Sequence, residues 1–261
     1  MNRILTIVDK EWAEVFKNRI VLFTVGFLPL IFTAMPLGIL YATQSSALGG
    51  DVSDVPPQFL AACGNIAPGQ CLQVFLINQF LLLFMMMPLI IPVAIAAYSI
   101  VGEKTTRSLE PLLATPITTV ELLAGKSLAA AIPAIAATWA GFIVFLIGAP
   151  LVGVQAPVLV AILSPVWLLA IFGVGPLMAI LAVNFAIVVS SRVTDPRVAE
   201  QISAVIIVPL MGLIFGQIAG VIIVNLQLMI VVAGLLALAD VGMVYVGARL
   251  FQRETILTKW K

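Results

Sequence analysis

Long uncharged apolar runs alternate along this chain with short clusters of charge, a spacing that predicts helices rather than strands. Six runs stand out, at about residues 20–42, 73–101, 127–149, 165–190, 201–224 and 228–248. Each is long enough to cross a bilayer core, which needs roughly 18–20 apolar residues. The expected fold is an all-α integral membrane protein with six transmembrane helices. Residues 1–261 then form a single transmembrane domain, with neither an internal repeat nor a soluble domain.

Prolines modify the pattern inside two runs. Residues 158–190 carry no charge, and as one helix they would measure about 50 Å against a core of about 30 Å. Pro165 and the run Gly173-Val174-Gly175-Pro176 offer places to start or bend that helix, which leaves 158–164 as an outer interfacial segment. Pro88 and Pro92 are expected to bend the second span in the same way.

Residues 1–19 have a different period. At 100° per residue Ile4, Leu5, Val8, Trp12, Val15 and Phe16 fall within an arc of about 120°. Asp9, Lys10, Glu11, Glu14 and Lys17 occupy the remainder. This is an amphipathic helix suited to the inner membrane interface with Trp12 as anchor, or to packing its stripe on the bundle. Its charges run throughout, so no cleavable signal peptide is expected.

Composition agrees with a membrane protein: 62% of residues are hydrophobic and 10% charged, where a soluble domain needs roughly 25% charged. The 13 basic residues test the span count. With six spans, all of them fall on the side of both termini, and the opposite loops at 43–72, about 150–164 and 225–227 hold none. The positive-inside rule then places both termini in the cytoplasm. A net charge of +1 argues against a nucleic-acid partner, and the absence of histidine excludes His-ligated metal and His-based acid–base chemistry.

The least apolar stretch between spans is 102–126. It ends in Gly125-Lys126-Ser127, which looks like the end of a phosphate-binding loop. Such a loop needs a glycine five residues before Gly125, so that backbone N–H groups can surround the phosphates, and Val120 stands there. Lys126 is therefore read as an anchor at the mouth of the third span, and Lys126→Ala is expected to be mild. Pro111 suits the first turn of a short helix that ends before Pro116. Leu109, Leu112 and Leu113 form its apolar face, with Glu103, Lys104, Arg107 and Glu110 around it. On these residues alone it is either a docking knob for a partner or a solvated loop.

The run Gly102-Glu103-Lys104, then Ser108-Leu109-Glu110-Pro111-Leu112-Leu113-Ala114-Thr115-Pro116-Ile117, then Glu121-Leu122-Leu123-Ala124-Gly125-Lys126, resembles the signature of ABC type-2 exporter permeases. The close match covers about 25 residues, and the six-span layout with its N-terminal helix extends the likeness to the whole chain. The resemblance implies that 102–126 contains a cytoplasmic coupling helix that fits a groove on a separate ATPase subunit. Glu103, Lys104, Arg107, Leu109, Glu110, Leu112, Leu113, Thr115 and Pro116 would be the coupling residues. It also implies a second permease copy or homologue as a dimer partner. ATP and Mg would be bound by the partner ATPase and no cofactor by this chain. The location implied is a prokaryotic cell (inner) membrane. Two departures stand out: Arg107 occupies a position where many relatives have glycine, and the fifth and sixth spans are joined by only about three residues, NLQ.

Cys63 and Cys71 flank a turn-rich stretch, CGNIAPGQC, in the outer loop and are expected to form a disulfide. Asp240 is the one clearly intramembrane charge, about 13 Å from the inner boundary. Burial of an ionised aspartate there costs about 2.5–3.5 kcal/mol, so it should face the bundle interior, near polar groups such as Asn184 or Gln217. It is either a cation or proton contact on a transport path or a hydrogen-bonded packing residue. Asn78 and Gln79 are weaker candidates of the same kind.

The reading is a permease subunit of an ATP-driven exporter for a small molecule, lipid or ion, not an enzyme. An intramembrane hydrolase would need a nucleophile with a base, a metal or an aspartate pair, and Ser190 and Ser191 have no nearby base. An ion-coupled secondary transporter would show more intramembrane charges or paired broken spans.

Overall fold

The structure, a computed structural model, describes residues 2–17, 19–44, 68–105 and 118–250. Every regular element among them is helical. Six stretches are long and apolar enough to cross a membrane: Val21–Thr43, Gly69–Ala97, Val120–Leu151, Ala156–Arg192, Pro196–Ile218 and Leu226–Gly247. The six-helix expectation therefore holds, and the second span is the centre of the bundle. Its most apolar window is 83% buried, against 11% for the first and last spans.

Helix α1 (Asn2–Val15) leads through a short turn into α2 (Arg19–Gln44). The second span is two helices, α3 (Pro68–Phe84) and α4 (Met87–Thr105), separated at Met85-Met86. Pro88 lacks the N–H that would bond Phe84, so the ladder is interrupted where the prolines predict a bend. Residues 85 and 86 instead bond back to Leu81 and Leu83.

The third span, α5 (Thr119–Leu151), begins two turns earlier than its apolar run. It packs along both α1 and α2. Glycines permit two close approaches to α2: a Cβ on Gly148 would lie 2.6 Å from Leu37 Cδ1, and one on Gly141 would lie 3.4 Å from Thr33 Cγ2. Pairing Thr33 with 141 and Leu37 with 148 means that α2 and α5 run in the same direction.

The fourth run is broken as the prolines suggest. A short α6 (Ala156–Ile162) buries Val158 and Ile162 against α3 and α5. After a turn, Pro165 opens α7 (Pro165–Leu169). A wide π-turn follows at Ala170–Val174, then α8 (Gly175–Arg192). Pro176 explains the wide turn: it has no N–H, and the Gly175 N–H reaches past Ile171 to the Ala170 carbonyl. The Ile171 carbonyl accepts from Trp139 Nε1 of α5 at 3.2 Å instead. Just before this turn, the fully buried Trp167 packs on Phe84, Phe142 and Phe145, with ring centroids 5.8–5.9 Å apart.

Asp195 caps α9 (Pro196–Ser203) through the Arg197 N–H. A 3₁₀ turn at Ala204–Ile207 precedes Pro209, and α10 (Val208–Ile218) completes the fifth span. That span ends at Ile218, and residues 219–225 form the connection; the expected three-residue link at 225–227 is displaced. Gly220 supplies the turn with φ of 70°, and the Val221 and Ile222 N–H groups bond back to the Gly216 carbonyl. Asn225 Oδ1 then accepts from Leu228 N at 2.8 Å and starts α11 (Leu226–Leu250). One stripe of α11, including Met229, Ala233, Leu236, Asp240 and Gly247, is covered, and α11 packs chiefly on α8.

Candidate functional site

The second half of the 102–126 segment is a folded junction. Thr118 Oγ1 accepts from Glu121 N at 3.2 Å, and Glu121 Oε2 accepts from Thr118 N at 2.8 Å, a reciprocal cap that starts α5. Glu121 also lies 4.0 Å from the Arg3 guanidinium of α1. One turn on, a Cβ at Gly125 would lie 2.7 Å from Ile7 Cγ2 and 2.9 Å from Ile7 Cβ. No side chain other than hydrogen fits there without a shift. Next, Lys126 Nζ lies 2.8 Å from Glu11 Oε1, with both side chains buried to 4% and 2% exposure. Trp12 Nε1 then donates to the Ala129 carbonyl at 2.9 Å. These contacts rise from residue 3 to 12 on α1 as they rise from 121 to 129 on α5, so α1 runs beside the start of α5 in the same direction.

This corrects two sequence readings. Lys126 is a buried ion-pair partner and not simply an anchor at the mouth of the third span, so its removal takes the nearest cation from a buried carboxylate. The buried face of α1 is Ile7, Val8, Glu11 and Val15, while Leu5 and Phe16 of the expected stripe are exposed. A helical wheel counts Glu11 as polar, and the lysine that carries it inward lies 115 residues away. Of the two readings left open for α1, the structure packs part of the stripe on the bundle, and Trp12 is tied to α5. The signal available in the sequence was Gly125, a small residue on a face of α5 that is otherwise apolar or paired.

Of the expected coupling residues, Glu103 and Lys104 belong to the last turns of α4, and nothing is described of their side chains. Arg107, Leu109, Glu110, Leu112, Leu113, Thr115 and Pro116 lie outside the described residues. Cys71 is buried at the start of α3 and disulfide-bonded, and its expected partner Cys63 also lies outside the described residues.

The five expected path residues are not joined into one site by hydrogen bonds. Asn78 Nδ2 donates to the Val74 carbonyl at 3.1 Å within its own helix, and Asn184 Oδ1 accepts from Ser127 Oγ at 3.3 Å. Both amide atoms of Gln79, Oε1 of Gln217 and both carboxylate oxygens of Asp240 are buried without a hydrogen-bond partner among the described residues. Asp240 faces the protein, as its cost in lipid requires, but it bonds neither Asn184 nor Gln217. Among the described residues neither oxygen has the hydrogen bond that the packing role calls for.

No match was found among curated proteins. The family model described as ABC-2 family transporter protein matches residues 5–254, which takes in most of α1, all six spans and the 102–126 junction. The protein is a multi-pass membrane permease of the ABC transporter class, and the chain belongs to the ABC-2 family.

Proposed function

We propose that this permease is the membrane subunit of an exporter driven by a separate cassette ATPase, and that residues 102–126 are where the ATPase attaches. The observation that carries the reading is the family match across nearly the whole chain. ATP and Mg are then bound and hydrolysed on the partner, and this chain binds no cofactor. Leu109, Leu112 and Leu113 fill a groove on the ATPase, with Glu103, Lys104, Arg107, Glu110, Thr115 and Pro116 at its rim. A second copy or homologue of the chain completes the translocation path. The distribution of basic residues supports cytoplasmic termini, and the family likeness supports a prokaryotic cell membrane. A Cys63–Cys71 bridge on the opposite side braces the outer loop, a pairing supported by the bonded state of Cys71 in a chain with two cysteines.

The test is co-purification of a co-expressed cassette ATPase subunit. Each leucine buried in a partner groove contributes about 1.5–3 kcal/mol, so Leu112→Asp should lower ATPase retention by more than about tenfold. Membrane levels of the chain should stay unchanged. Full retention by Leu112→Asp would remove the loop from the interface.

A second reading attaches to Asp240. Its carboxylate has no hydrogen-bond partner among the described residues, which favours a cation or proton contact over a packing role. Transport that survives Asp240→Asn at full rate would remove it from the path.

A further inference from the structure

The buried pair between α1 and α5 has a purpose that the permease reading does not assign. Glu11 and Lys126 meet at 2.8 Å with less than 5% of either side chain exposed. Pulling the two helices apart would break a 2.8 Å contact between two buried charges and leave Glu11 only Lys10, 3.8 Å away on its own helix, so the pair resists separation more than an exposed ion pair would. Three further contacts act on the same line. Ile7 sits against the bare backbone of Gly125, Trp12 is hydrogen-bonded to the Ala129 carbonyl, and Arg3 lies 4.0 Å from Glu121. Glu121 is itself the residue that caps α5 at Thr118, the first residue described after 106–117.

We propose that Glu11 and Lys126 are positioning residues that hold α1 and the first turns of α5 as one rigid body, so that α1 fixes where the 106–117 segment re-joins the bundle. The proposal rests on the reading of that segment as the ATPase attachment. Four contacts in one register leave α1 no sliding motion along α5: a shift of one turn would carry Glu11 away from Lys126 and drive a side chain into Ile7. The aligned Thr118–Glu121 cap then holds the start of α5 in one direction. An ATPase that grips the preceding segment moves α1 together with α5 and not against it.

Three measurements on the full chain test this. Thermal unfolding of the chain alone in detergent reports the pair without any partner. Glu11→Gln and Lys126→Gln should each lower the melting temperature, and the exchanged pair Glu11→Lys with Lys126→Glu should recover most of the loss. Retention of a co-expressed cassette ATPase subunit reports positioning. Each single variant should retain about tenfold less, and the exchange should restore it. The third measurement locks the helices. Ile7→Cys with Gly125→Cys brings two Cβ positions close enough to bridge after a small shift. The oxidised complex should hydrolyse ATP at the rate of the same protein after reduction, once corrected for the effect of reduction on the unaltered chain, whose Cys71 disulfide also opens. A locked complex that regains activity only on reduction would show that α1 must leave α5, and would overturn the rigid seat. Single variants that melt early yet keep full ATPase retention would overturn the positioning role. If the unaltered chain retains no ATPase subunit, the permease reading fails instead, and the melting and exchange series still decides whether the pair holds α1.

Discussion

Two buried charges sites in this molecule have opposite designs. At the α1–α5 junction an acid and a base bury each other at 2.8 Å. In α11 a single acid, Asp240, is covered by the bundle with no hydrogen-bond partner for either oxygen among the described residues. Both sites carry the desolvation cost of a charged group away from water. The pair offsets it internally and so becomes a tie between two helices that are remote in sequence. The lone carboxylate bonds none of the described residues, so the protein should lose little structure without its charge. Burial alone thus does not tell whether a charge supports the fold; the presence of a partner does.

The contrast can be broken most forcefully at Lys126. Lys126→Ala removes the nearest cation from the buried Glu11, leaving Lys10 at 3.8 Å, and should destabilise the chain toward the lower end of about 3–5 kcal/mol, read from denaturant or thermal unfolding in detergent. An effect below about 1 kcal/mol would mean that the pair is not buried in solution. Gly125→Ala comes next. Its Cβ would lie 2.7 Å from Ile7, so α1 must shift, at about 1–3 kcal/mol; adding Ile7→Ala should relieve most of this, and a double variant no better than the single would place the strain elsewhere. Trp12→Phe keeps much of the ring but removes the hydrogen bond to Ala129, for about 0.5–1.5 kcal/mol in the same assay. Asp240→Asn should have the smallest effect, under about 1 kcal/mol in either direction, because no hydrogen bond to the described residues is lost. A loss as large as that of Lys126→Ala would give Asp240 a hidden structural partner and erase the distinction.

Much of this architecture was legible before any coordinates. The apolar runs gave six spans because membrane helices must satisfy their own backbone and so read as uninterrupted apolar stretches. Pro88, Pro165 and Pro176 marked real breaks because a missing N–H acts locally. Asp240 could be turned inward from cost alone. The Glu11–Lys126 pair could not be seen, because local periodicity carries no information about a residue 115 positions away. The end of the fifth span was misplaced because residues 219–224, AGVIIV, are as apolar as the helix they follow, and only Gly220 marks the turn. The residues around Leu112 were legible through family likeness, not through any physical signal that separates a docking helix from a solvated loop.

The π-turn at Ala170–Val174 has a consequence for the geometry of α8. A turn with one extra residue leaves the axis nearly in place but advances the phase of everything beyond it by about 100°. Asn184 follows that turn by ten residues and meets Ser127 of α5 at 3.3 Å. Were the turn ordinary α-helix, that amide would point about a quarter-turn away, and α8 would present another set of side chains to α5. Pro176 thus works as an angular setting: one missing N–H selects which face of the fourth span looks at the third.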